Sequence, residues 1–404
     1  MTSIRKLLIV GGGIAGMSLA IALRDSNIST EIVELDPGWS ALGIGIALTA
    51  PTLRAVHTLG LLERCIAAGW RVTKVGVIDR TTGEVAYRGE APRLAGPEYP
   101  ASLGIMRPAF HRILADGVRA AGARVRLGIG TASIQQTCDG VDVVFTDGSS
   151  DRYDLVVGAD GINSAVRELV WGPALKPQFT GQSIWRVTVP RQPEVEAIVS
   201  LAGGPNANVG FNPVSSDLMY IFIVQNTPER ERLTADQLPE AARSRLDGYS
   251  GLVARVRDQI NAGSHVLMRP AEWILVPPPW YQGRVLLIGD AAHATTPHMA
   301  GGACIAIEDA VVAANVLAGP LATGRVTPRQ LAQVQRRREL PVRFIQAAGA
   351  FAQKALLPVA LRFPRGEQIR LRIPRLLRLL FRLPLMDVLP ARLVGVGLWR
   401  VRVT

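Results

Sequence analysis

A chain of 404 residues exceeds one compact core and suits two or three intergrown domains, while 48% hydrophobic and 19% charged residues exclude extended disorder. Three cysteines, Cys65, Cys138 and Cys304, lie far apart without ligand spacing, which argues against a disulfide scaffold or a metal site and for a reducing, cytoplasmic setting. The net charge of +12 is concentrated at the C-terminus, where residues 325–404 hold 17 Lys and Arg against three acids, so residues 1–324 carry −2 and, with no RNA-reading motif, nucleic acid drops out as a partner.

Leu7 to Val10 reads as a buried parallel strand, followed by Gly11-x-Gly13-x-x-Gly16 and an apolar helix through Leu23. The uncharged run from Leu7 to Leu23 imitates a signal peptide, but the glycines interrupt it and Arg24-Asp25 ends it without a cleavage site. In this pattern Gly11 permits a tight turn, Gly13 lets backbone approach a pyrophosphate, and Gly16 lets helix and strand pack closely. The helix start offers free N–H groups to phosphates. A second strand, Thr30 to Val33, ends in Glu34, whose carboxylate suits an adenosine ribose. Strand, turn, helix, strand and acid together specify dinucleotide binding.

Two later segments repeat the strand-to-turn logic. Asp154 to Arg167 runs a buried strand into Asp160-Gly161 and a helix, and Arg284 to His293 runs another into Gly289-Asp290. Pro297 and Gly301-Gly302 then precede a helical stretch containing Glu308-Asp309. No other segment has the uninterrupted apolar length of a membrane span.

With these three motifs in order, residues 1 to 345 resemble the single-component FAD-dependent aromatic hydroxylases of the para-hydroxybenzoate hydroxylase superfamily. The resemblance implies an α/β fold in which a Rossmann-like FAD-binding domain (1–71, 100–178 and 266–355) is interleaved with a mostly antiparallel sheet domain for substrate (72–99 and 179–265), followed by a basic helical C-terminal segment (356–404). It implies FAD and NAD(P)H as cofactors. Asp160 would contribute to both, Asp290 would hold the ribityl chain, and Arg107 would reach the flavin side. Pro297, Gly301, Gly302 and Ala303 would shape the site over the ring. Where many relatives read Gly-Gln-Gly-Ala-Asn, this chain reads Ala300-Gly301-Gly302-Ala303-Cys304. The Thr-Thr-Pro297-His298 stretch resembles the salicylate and 3-hydroxybenzoate hydroxylases, so His298 is either a flavin-facing candidate or a solvent-exposed loop residue. His293 reads as structural.

After Gly172-Pro173, candidate strands follow in sequence: Gln182 to Val189, Ala197 to Leu201, Val209 to Val214 and Leu218 to Val224. Period-two alternation puts Tyr220 and Phe222 on one face with Leu218 and Val224, where they line an apolar pocket or fill core. Trp185-Arg186 resembles the family's aromatic-arginine pair on the substrate sheet, and Asn208 falls near a position where small-phenol hydroxylases carry a histidine. The substrate-side candidates are thus Trp185, Arg186, Asn208, Phe211, Tyr220, Phe222 and Pro297. No general base and no carboxylate clamp stands out, although Arg186 could serve a substrate acid. The paired tryptophans of the related halogenases are absent around Trp185.

Prolines at 358, 364, 374, 384 and 390 punctuate the tail, and Leu376, Leu379, Leu380 and Leu383 oppose Arg375, Arg378 and Arg382. Such a basic amphipathic helix docks on its own protein, pairs subunits, or lies on an anionic membrane surface. The resemblance implies a monooxygenase that uses NAD(P)H and O2 to hydroxylate an aromatic or electron-rich, rather apolar substrate through a C4a-hydroperoxyflavin. A flavin-dependent reductase or oxidase of a lipophilic substrate, and a flavin-binding regulatory protein without turnover, are the alternatives.

Overall fold

The computed structural model describes residues 5–41, 43–79, 81–201 and 207–361. The amphipathic tail segment lies outside these residues. The chain opens with β1 (Arg5–Val10), α1 (Ile14–Ala22) and β2 (Ile28–Glu34), the expected strand, helix and strand. Next come β3 (Gly45–Thr49), α2 (Ala50–Thr58), α3 (Leu62–Ala68), β4 (Gly69–Val72), β5 (Lys74–Ile78), β6 (Val85–Glu90), β7 (Ser102–Met106) and α4 (Arg107–Ala120). Then follow β8 (Arg124–Leu127), β9 (Thr131–Gln136), β10 (Val141–Phe145), β11 (Ser150–Tyr153), β12 (Leu155–Gly158) and α5 (Ala165–Trp171). A sheet region holds β13 (Gln178–Pro190), β14 (Val199–Leu201), β15 (Asn208–Pro213), β16 (Leu218–Asn226), α6 (Leu238–Ser244), α7 (Gly251–Arg257) and β17 (Val266–Trp273). The last part is β18 (Tyr281–Gln282), β19 (Val285–Leu287), α8 (Asp290–His293), α9 (Gly302–Ala322) and α10 (Pro328–Leu361).

The main sheet runs β18-β19-β12-β1-β2-β8 and is parallel except for β18. Leu7 to Val10 of β1, β12 and β19 are continuous apolar runs because both faces are covered there. Leu7 and Ile9 pack on α1, α4 and α9, whereas Leu8 and Val10 pack on the antiparallel meander β9–β11. The second sheet, β14-β15-β16-β13-β17, is antiparallel throughout. Two smaller sheets, β3-β7-β4 and β5-β6, join the two bodies.

The mixed α/β architecture agrees with the expectation, with three differences of detail. Val266–Trp273 pairs with β13 in the antiparallel sheet, so the expected division at 265/266 precedes a strand of that sheet. Helix α10 runs through Pro358 without ending there. Gly302–Ala322 is long and apolar enough to cross a membrane by length and composition, despite containing two acids, but 78% of its most apolar stretch is buried inside the protein. It is the core helix behind α1 and α2, with α10 packed against it.

Candidate active site

The glycine turn after β1 divides its tasks among three residues. Gly11 has φ +108°, and a Cβ there would stand 2.4 Å from the Ala159 carbonyl oxygen. A Cβ on Gly16 would stand 2.1 Å from the Gly11 oxygen, so this glycine lets helix and turn touch. Gly13 has ordinary extended backbone, is exposed, and a Cβ there would meet no protein atom within 4 Å. Gly13 is the N-cap of α1 and no side chain caps that helix, so its first N–H groups face an open cleft of about 710 Å³.

Gly11, Gly13, Glu34, Arg107, Asp160 and Gly161 all line this cleft. Glu34 accepts hydrogen bonds from the N–H groups of Gly12 (2.7 Å) and Asp36 (2.8 Å), tying the end of β2 to the turn and leaving carboxylate lone pairs for another donor. The Trp39 indole donates to the Gly12 carbonyl at 2.8 Å and closes the same turn. No motif in the sequence singles out Trp39. His111, also in the cleft, is held below the ordinary histidine range by burial and then by Arg107.

Asp160 shows how one acid serves structure. It accepts from the Ser164 hydroxyl at 2.5 Å and from the Val166 N–H at 3.0 Å, which fixes the start of α5. Burial raises its pKa, and the bonds from Ser164 and Val166 pull the other way. Asp160 thus ties down the start of α5 and lines the cleft as well.

Arg107 lines the cleft, and Asp290, which is not among its lining residues, interacts with Arg107 electrostatically. Both are solvent-accessible, yet burial is the largest influence on the titration of each. Burial lowers Arg107, opposed by Asp290 and reinforced by Arg186 and Arg269; burial raises Asp290 against the pull of His293 and Arg107. A Cβ on Gly302 would lie 4.0 Å from an Asp290 carboxylate oxygen, so Asp290 stands beside the uncapped N-terminus of α9. There Gly301 is buried against Ile345, while Gly302 and Ala303 are half-buried. Ala300 occupies the left-handed region at φ 49°, a conformation that favours glycine.

Behind this loop lies a buried ionic cluster that the sequence announced only through the acids Glu308 and Asp309 in an apolar helix. Arg338 from α10 meets Glu308 at 2.9 Å and Asp309 at 2.7 Å, and Asp309 also meets His293 at 2.7 Å. Asp309 accepts the Gly289 N–H at 2.9 Å as well, so the cluster anchors the Gly289-Asp290 turn. Burial pushes Glu308 up to about 7 despite the opposing pull of Arg338. His293 is fully buried and structural, as expected.

The antiparallel sheet separates the substrate-side candidates. Trp185 and Phe211 are fully buried on the face packed against α6 and α7, in one core with Ile221 and Ile223, so neither reaches the site. Pairing of Trp185 with Ile223 and of Phe211 with Ile221 carries that assignment, and alternation from Tyr220 outward would have found it. Arg186, Asn208, Tyr220 and Phe222 occupy the other face. Tyr220 is buried with Ile44 and Val214, accepts a hydrogen bond from Asn212 at 2.9 Å, and abuts Gly45. Phe222 lies across Gly210, where a Cβ would approach its ring to 2.2 Å. Arg186 stands over the Tyr220 ring at 6.0 Å with its Nε buried and unpartnered. Arg269, missed in the sequence, opposes Ile184 on β17 and so shares this face. Pro297 and His298 form a half-buried turn; burial holds His298 below its usual range, and among the described residues neither ring nitrogen has a hydrogen-bond partner.

Comparison with known proteins agrees with this arrangement. The FAD binding domain family matches residues 5–347. The aurachin C monooxygenase/isomerase of Stigmatella aurantiaca is 32% identical over 318 residues, 77% of this chain and 80% of that protein. The 2-heptyl-3-hydroxy-4(1H)-quinolone synthase of Pseudomonas aeruginosa is 31% identical over 350 residues, 84% and 86% of the two chains. Among solved structures, HpxO of Klebsiella pneumoniae with FAD and uric acid superposes with a TM-score of 0.77 at 23% identity, covering 98% of this chain and 97% of that one.

Proposed function

The chain belongs to the family of FAD-dependent aromatic hydroxylases and is an FAD-dependent monooxygenase, and from that premise we propose which residues hold the cofactor and what kind of substrate is oxidised. The observation that carries the cofactor assignment is the uncapped start of α1 facing the 710 Å³ cleft, with Gly13 open to it. The N–H groups there and the backbone of Gly11 bind the pyrophosphate, and Glu34 accepts from the ribose. Asp290 binds the ribityl chain. Arg107 neutralises charge at the inner end, and Gly301 and Gly302 bring the α9 N-terminus against the ring. When bound, FAD supplies O2 activation at the expense of NAD(P)H. The protein orients substrate and excludes water, without a side-chain nucleophile.

The substrate we propose is a largely apolar aromatic. Two relatives are named for alkylquinolone and aurachin chemistry, and Phe222 offers an apolar surface on the sheet. Arg186, His298 and Arg269 are then polar groups for a ring oxygen or nitrogen rather than a benzoate clamp.

Asp290→Ala removes a hydrogen-bonding carboxylate and is expected to weaken FAD binding by about 1.5–3 kcal/mol, roughly tenfold to a hundredfold. Titration of apoprotein with FAD, followed by flavin fluorescence, measures this. Wild-type affinity in the variant would refute the assignment. Substrate choice is tested by NAD(P)H consumption and product mass together, comparing alkyl-substituted aromatics with benzoates. Efficient turnover of a small carboxylated phenol, lost in Arg186→Ala, would overturn the apolar reading.

A further inference from the structure

A second cavity, of about 400 Å³, lies beside the loop that precedes α9 and shares no residue with the cleft. Its size falls in the range of small-molecule pockets, about 300–1,000 Å³. The walls come from seven parts of the chain, and Pro51, Val72, Ala91, Leu94, Met299 and Ile345 are among them. Among the described residues, Lys74 is the one charged residue lining it. Its ammonium is already held by Glu196 at 2.6 Å and stands over the Tyr87 ring at 5.2 Å, so it needs no ligand charge. Val75, on the same wall, is 44% exposed, an apolar side chain left at the rim.

Gly301 and Met299 connect this cavity to the reaction centre, because the loop that carries them is the one assigned above to the ring of the cofactor. We infer that the cavity receives a hydrocarbon chain of the substrate, whose aromatic ring lies at the Gly301 end. This rests on the apolar-aromatic reading and adds to it a specific place and a specific class: an aromatic ring bearing an unbranched aliphatic substituent. The apolar walls bind the chain through removal of its surface from water, a contribution that grows with each methylene until the cavity is filled.

The probes are 2-alkyl-4(1H)-quinolones with chains from methyl to nonyl, titrated into the oxidised, FAD-loaded enzyme by calorimetry. Binding is read without turnover, so a failure of oxygenation is seen separately in NAD(P)H consumption. In the wild type, affinity should rise about fourfold per methylene, the equivalent of about 0.8 kcal/mol, and then level off. Ala91→Phe projects a ring into the cavity and should flatten that dependence, with flavin content retained; Leu94→Ser should flatten it partly and decides the matter where Ala91→Phe fails to fold. Chain-length-independent affinity in the wild type would overturn the inference, as would an unaltered dependence in a flavin-loaded variant.

Discussion

Arg338→Met is expected to destabilise the folded protein by about 3–5 kcal/mol, the usual cost of removing one partner from a buried ion pair. The substitution keeps most of the side-chain volume but leaves Glu308 without its cation at 2.9 Å and removes Arg338 from Asp309, which keeps His293 and the Gly289 N–H. Glu308 is fully buried and Asp309 nearly so, which leaves no water to take over. Urea unfolding measures the effect, and adding Glu308→Gln should recover part of it, because the uncompensated carboxylate is then gone. A midpoint equal to that of the wild type would show that the cluster does not hold α10 to α9. Since Asp309 also accepts the Gly289 N–H, weaker FAD retention is expected alongside the stability loss.

Gly13→Val separates binding from folding. The backbone at this position suits any residue and no protein atom lies within 4 Å of the added Cβ, so the protein should fold. The side chain would instead enter the cleft where the pyrophosphate approaches the helix start. Purified Gly13→Val should therefore be folded by circular dichroism and nearly colourless. Normal flavin absorbance would mean that the turn serves structure alone. Gly11 and Gly16 cannot answer this question, because substitutions there collide with backbone oxygen at 2.4 and 2.1 Å.

The parts of the fold that local chemistry dictates were legible. The glycine turn, the apolar parallel strands and the run of antiparallel strands each depend on neighbours in sequence, and all appear close to their expected limits. What the sequence obscured depends on partners far along the chain. Trp185-Arg186 is a motif in one dimension, yet adjacent residues of a strand face opposite ways, so Arg186 shares the face of Tyr220 and Phe222 while Trp185 belongs to the core. Trp39 contacts Gly12 across 27 positions, and Arg338 reaches Asp309 across 29, with no local pattern to announce either pairing. The apolar cavity was invisible for the same reason: its walls become neighbours only after two sheets and the helices α2, α9 and α10 meet.

The strand order of the main sheet also has a consequence for synthesis on the ribosome. Strand β1 lies between β2 and β12, and β12 in turn needs β19, so a sheet begun at Arg5 is not complete until Leu287 has been made. At about 5–20 residues per second this interval is roughly 15–60 s. During it, one edge of an apolar parallel sheet stays unpaired, and α9 emerges with two acids whose cation, Arg338, has yet to be translated. The nascent chain is thus a natural client for holding chaperones, and truncations anywhere before α10 should yield aggregation-prone fragments rather than smaller working enzymes.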